Sequence, residues 1–247
     1  MKKIMILLFL SIITLHLNAQ KSPRMDTFTT KNGKVITFRF YGHASVAIGA
    51  DNKVYYIDPV SQFANYNKEP KAAAIFVTHS HSDHLDTLAI QELNTSNTKI
   101  YCDQTSARGL KSNNVKVMSP GQNITLPNGI KVEAVPAYNT TDEHTQFHPK
   151  KRKDCGYIFN IGGSRIYIAG DSEDTPEMKS LKNIDVAFLP VNQPYTMTAK
   201  QASNVIKAIK PKVFYPYHYG QVKEKTDIKS LVKATKPYTK VILMGME

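Results

Sequence analysis

Residues 73–86 read AAIFVTHSHSDHLD. The segment divides sharply into two parts. Ala73 to Val77 is an uninterrupted apolar run of strand length, the pattern of a strand buried on both faces. The chain then turns abruptly polar and places His79, His81, Asp83 and His84 within six residues. Side chains two apart in extended chain point the same way, so His79 and His81 can reach one ion together. As the chain turns toward the helical pattern DTLAIQEL, Asp83 and His84 are redirected to a neighbouring point, and Asp83 is available to cap the first turn. Imidazole and carboxylate donors suit zinc, manganese or iron, and the lack of thiolate argues against a closed structural zinc site.

The stretches around this segment read mostly as strands. KVITFRF, ASVAIG, KVYYID, KIYCD, VKVMS and IKVEAVPA are rich in Val, Ile, Tyr and Phe and are separated by turn-forming residues. The second half repeats the theme. GYIFNIGGSRIYIAG reads as a hairpin about Gly162-Gly163, and DVAFLP and KVFYPY as strands. Between them Thr198 caps a helix over AKQASNVIKAIK, with Ala202, Val205, Ile206 and Ile209 at helical spacing. A last helix over DIKSLVKATK and a strand over KVILMG close the chain. Periodicity alone leaves α+β and α/β both open.

The chain begins MKKIMILLFLSIITLHLNAQ: two lysines, a short apolar run, then Ala19. This is the plan of a secretory signal peptide over residues 1–19. The run is shorter than the roughly 20 apolar residues that a spanning helix needs, so no membrane anchor is expected after cleavage. Residues 20–247 then form one exported domain, periplasmic or secreted. The chain carries 32 Lys and Arg against 20 Asp and Glu, a formal charge of +12. That balance favours a small anionic partner, or is simply spread over the surface for solubility. Its densest run, Lys150-Lys151-Arg152-Lys153, reads as a solvated loop, and no arginine-rich block marks a nucleic-acid surface. Cys102 and Cys155 are the only cysteines and read either as a disulfide or as two buried thiols. Nothing in the sequence sets the oligomeric state.

Set beside FYGHASVAI and VYYIDP, the HSHSDH cluster resembles the hallmark of the metallo-β-lactamase superfamily, and the resemblance runs from about Val35 to Met244. IAGDSEDTPEM, DVAFLPVNQPYTMTAKQA and KVFYPYHYG look most like the branch of ascorbate-phosphate lactonases and related metal-dependent hydrolases. The resemblance implies an α+β fold, an αββα sandwich of two mixed sheets with helices outside and metals at one edge. It implies that His79 and His81 hold a first ion, that Asp83, His84 and His218 hold a second, and that Asp171 bridges them. One or two zinc ions are expected, with manganese or iron as alternatives. Asp83 and Asp171 would serve the catalytic step, in which water acidified by the ions attacks an ester, lactone or phosphodiester.

Individual residues carry their own alternatives. Asp171 follows RIYIAG, where Gly170 permits a sharp turn; on its own it reads as a helix cap. His218 alone could be a buried, hydrogen-bonded histidine. The family supplies a further His to the first ion where this chain has Asn139. His148 is the expected replacement and His144 the second choice; otherwise Asn139 itself contacts metal or substrate. His43 and Asp58 are expected to support the ligands from behind, as carboxylates do for metal-bound imidazoles. Tyr195, Tyr217 and Lys150 are candidate substrate contacts. Two other classes stay open: a non-catalytic binding protein on the same scaffold, and a β-lactam hydrolase.

Overall fold

The computed structural model describes residues 22–220, 222 and 225–247, so the expected signal peptide lies outside the described residues. Among the described residues fourteen strands form two sheets of seven, each in sequence order. The first sheet holds β1 (Arg24–Thr29), β2 (Val35–Gly42), β3 (Ser45–Ala50), β4 (Lys53–Ile57), β5 (Ala74–Val77), β6 (Lys99–Cys102) and β7 (Val115–Val117). The second holds β8 (Asn123–Thr125), β9 (Lys131–Pro136), β10 (Cys155–Ile161), β11 (Ser164–Ile168), β12 (Ile184–Pro190), β13 (Val213–Tyr217) and β14 (Lys240–Val241).

The two halves share one plan. β1 to β4 pair antiparallel and β4 to β7 parallel; β8 to β11 pair antiparallel and β11 to β14 parallel. Parallel pairing needs crossovers, and these carry the helices α1 (Thr87–Leu93), α2 (Gln104–Gly109), α3 (Pro176–Ser180), α4 (Ala199–Ile209) and α5 (Ile228–Thr235). The result is the expected α+β sandwich.

Why β5 lacks polar alternation is visible in its packing. Ala74 and Phe76 face the core between the sheets, while Ile75 and Val77 face a second core under α1. Across the main core Phe38 meets Phe188 at 5.3 Å and Phe76 meets Phe159 at 4.9 Å, both edge to face. α4 buries Ala202, Val205, Ile206 and Ile209, and Thr198 with Gln201 forms a full capping box. α1 is capped by Asp86, whose carboxylate accepts from the Leu88 and Ala89 N–H groups, so Asp83 is not the cap. α3 is capped by Thr175, which frees Asp171 from that role as well. β1 and β8 were not legible in the sequence, and the closing strand is only Lys240–Val241. Cys102 and Cys155 are free and buried, and burial pushes the Cys102 thiol up to about 12.

Candidate metal centre

The chain leaves the parallel strands at one end of the sandwich, and the chemistry-bearing residues gather there. Asp58 follows β4, His79 to His84 follow β5, Asp171 follows β11 and His218 follows β13. Carboxyl ends of parallel strands are the usual place for ligands in such sheets. His43, Asp58 and His218 adopt left-handed backbone, with φ of 51°, 47° and 54°. Non-glycine residues pay about 1–3 kcal/mol for such conformations, which cluster at functional sites. Gly170, at φ 65°, turns the chain directly before Asp171.

Asp171 is the hub. Its Oδ2 lies 3.1 Å from His218 Nε2, 3.5 Å from His148 Nε2 and 4.0 Å from His79 Nε2; its Oδ1 lies 3.4 Å from His84 Nε2. Among the described residues three groups of ligand-type atoms result: His79, His81 and His148; His43, Asp83, His84 and His218; and His79, His84 and Asp171. The residues expected around each ion are therefore brought together, with Asp171 beside both groups.

Hydrogen bonds behind the cluster fix which imidazole nitrogens face inward. Asp58 is fully buried and accepts from the Thr78 N–H at 2.8 Å and the Thr78 hydroxyl at 2.7 Å. Its Oδ2 is also 2.8 Å from His84 Nδ1, and Thr78 Oγ1 is 3.0 Å from His79 Nδ1. Protons on both Nδ1 atoms are thereby held outward, and each Nε2 is the atom turned toward Asp171. His218 also turns Nε2 toward Asp171, with the Asn192 side-chain nitrogen, a donor, 3.3 Å from its Nδ1. His79 Nε2, His84 Nε2, His218 Nε2 and Asp171 Oδ1 are buried with no hydrogen-bond partner. An unpartnered buried polar atom costs about 1–3 kcal/mol, and four converging ones make a donor set that a divalent cation satisfies.

The electrostatics agree. Burial holds His79 well below its ordinary value and lowers His81 to about 4, helped by His148 and Arg152; both are neutral at pH 7, the form that ligates. Burial opposes charge on His84 and His218 too, but Asp171 outweighs it and raises both. Burial pushes Asp171 up, and His218 and His84 outweigh that and hold it well below the carboxylate range. The carboxylates thus draw positive charge to the second position.

His148 is buried beside His79 and His81, while His144 turns away to Glu173, with Nδ1 at 2.9 Å from Oε1. Asn139 stands in none of the ligand groups and does not line the cavity beside them. Its amide nitrogen donates to the carbonyls of His144 and Tyr195, at 3.1 and 2.8 Å, so it ties two loops together. His43 stands closer than expected, with Nε2 3.0 Å from Asp83 Oδ2. Lys150 falls elsewhere because Glu177 and the Tyr138 hydroxyl hold its ammonium, at 2.9 and 3.1 Å. Tyr217 is fully buried in the core and does not line the cavity. Tyr195 does line it. The cavity, about 290 Å³, opens beside His43, His81, Asp83, His148, Asp171 and His218, and Phe147 packs edge-on against Tyr195 at 4.8 Å.

Sequence reasoning missed Thr78, Asn192, Phe147 and the pair Arg152–Asp154. Arg152 was read within a solvated basic run, yet it points inward and its side chain is only 18% exposed. The signal was Asp154, an acid placed directly before an apolar strand, where it needs a buried partner.

Fold and cluster together define a hydrolase that works through bound metal. A beta-lactamase superfamily domain model matches residues 37–218, and the chain belongs to that superfamily as a metal-dependent hydrolase. It is 31% identical over 218 residues to a metal-dependent hydrolase of Archaeoglobus fulgidus, covering 82% of this chain and 93% of that one. A crystal structure from Parabacteroides distasonis, described as a candidate metal-dependent hydrolase, is 45% identical with a TM-score of 0.85; the match covers 91% of this chain and all of that one. The metallo hydrolase Igni18 of Ignicoccus hospitalis, 20% identical with a TM-score of 0.66 over 90% of this chain and 96% of that one, shares the fold.

Proposed function

We propose that the protein is an exported hydrolase of esters, lactones or phosphodiesters that holds two zinc-class ions. His79, His81 and His148 would hold the first and Asp83, His84 and His218 the second, with Asp171 beside both groups. The observation that carries this reading is the convergence of unpartnered Nε2 atoms on Asp171. Bound there, the ions would supply Lewis acidity and an acidified water nucleophile.

The chain's own groups do the rest. Asp58 and Thr78 lock the His84 and His79 rings in the ligating tautomer. Asp83 is the exposed carboxylate of the cluster, with 45% of its side chain accessible; burial pushes its carboxyl up, but His218 and His43 outweigh that and hold it well below the carboxylate range, so it meets the cavity as an anion. Phe147 and Tyr195 offer an apolar ledge for the part of the substrate that does not react. The chain's +12 charge supports an anionic substrate. Export rests on residues 1–19, and zinc on the nitrogen and oxygen donor set.

The test pairs metal analysis with turnover of a generic phosphodiester and a simple lactone, using H81A as control. Two equivalents of metal and turnover that H81A loses support the reading. A folded wild type without metal and without turnover contradicts it and leaves a binding protein on the same scaffold.

A further inference from the structure

The imidazoles of the centre differ in what stands behind them. His79, of the first position, and His84, of the second, back onto a hydroxyl and a carboxylate, which accept protons. His81 and His148 back onto a guanidinium. Arg152 Nη1 lies 3.1 Å from His81 Nε2, and Nη2 lies 3.0 Å from His148 Nδ1. The same guanidinium donates to Asp154, from Nε to Oδ1 at 2.7 Å and from Nη2 to Oδ2 at 2.6 Å.

A guanidinium has donors only. The imidazole nitrogens that face it must therefore be bare. His148 points Nε2 at Asp171, so Nε2 is its ligating atom and a neutral ring must carry its proton on Nδ1, the atom that Arg152 occupies. For His81 the conflict arises with either nitrogen. If Nε2 ligates, Arg152 sits on the ligating atom; if Nδ1 ligates, Nε2 must carry the proton that Arg152 opposes. An acceptor for the His148 proton is at hand: Asp154 Oδ2 is 3.6 Å from Nδ1 and its side chain is 1% exposed.

We infer that Arg152 makes the first ion position the weaker of the two, and that this position fills only when the guanidinium swings off His81 and His148 and leaves Asp154 to receive the His148 proton. Arg152 is then a positioning residue that sets whether the enzyme carries one ion or two. Its fixed positive charge beside the first position acts in the same direction. The inference rests on the two-ion reading above, which the wild-type titration checks separately.

The experiment is calorimetric titration of Zn²⁺ into metal-free wild type, R152M, R152K and D154N, with far-UV circular dichroism to verify folding. Wild type should show two classes of site. R152M should tighten the weaker class by about tenfold or more and leave the stronger unchanged. D154N should weaken that class by about 10- to 100-fold, the usual effect of losing a group that orients a ligand. Opposite signs from the two halves of one ion pair separate this role from a structural one, which would move both variants the same way. R152K keeps a charge for Asp154 but loses the fork, and should tighten the weak class if R152M does not fold. Weakening in both the Arg152 and Asp154 variants, or no change in R152M and R152K, overturns the inference. A folded wild type that binds no zinc overturns the two-ion reading itself, and this inference with it.

Discussion

The backbone N–H of Asn139 donates to the carbonyl oxygen of His148 at 2.9 Å. Asn139, the position where the resemblance implies a histidine, thus grips the residue that reaches the cluster. Its side chain grips twice more, at the carbonyls of His144 and Tyr195. N139A keeps the backbone bond and removes the other two. It should lower stability by about 1–3 kcal/mol, the cost of leaving buried carbonyls unpaired, and weaken the first ion position while sparing the second. Denaturant unfolding and zinc titration check the two effects.

Asp58 is the second lever on the centre. D58N retains the shape but removes the carboxylate that fixes the His84 tautomer, and its amide can present a donor where an acceptor is needed. Metal affinity at the second position should fall by about 10- to 100-fold, measured by competition with a chromophoric chelator.

Gly156 tests the link between core and site. A Cβ there would meet the Ala169 carbonyl oxygen at 2.6 Å and that of Ile168 at 2.9 Å, both backbone atoms on the path to Asp171. G156A should cost about 1–3 kcal/mol, as overpacking does, and should also loosen metal binding by displacing Asp171. Thermal melts with and without zinc distinguish the two consequences.

Asp185 predicts the acid limit of stability away from the metal centre. Burial pushes its carboxyl up, but Lys31, the Arg165 N–H and Lys212 outweigh that and lower it. Lys31 lies at 2.8 Å and Lys212 at 3.3 Å. A lowered folded value means that the contribution is fully present above the unfolded carboxyl value of about 3.9 and is lost as pH falls through the lower folded value. D185N should be less stable than wild type at neutral pH, and the gap should close as pH falls below about 4. Urea midpoints from pH 7 downward measure it.

How much the sequence disclosed depended on locality. The buried strand into HSHSDH, the Thr198 cap and the Gly162-Gly163 hairpin are local patterns, and each was readable. His148 was named as the replacement for the histidine that the resemblance implies at Asn139, from the same loop, and it stands beside His79 and His81. What escaped was set by tertiary packing. Lys150 and Arg152 look alike in a basic run, yet Glu177 holds one at the surface and Asp154 draws the other inward. Asp83 was read as the cap of α1, and the path of the chain after β5 gives that role to Asp86 instead. The left-handed backbone at His43, Asp58 and His218 carries no glycine to announce it.

The central claim is a two-ion centre in which His148 completes the first position. The most direct measurement is metal stoichiometry by mass spectrometry on zinc-loaded, desalted wild type and H148A, with folding verified. The account predicts two equivalents for wild type and one for H148A. Two equivalents retained in H148A, or none in folded wild type, would contradict it.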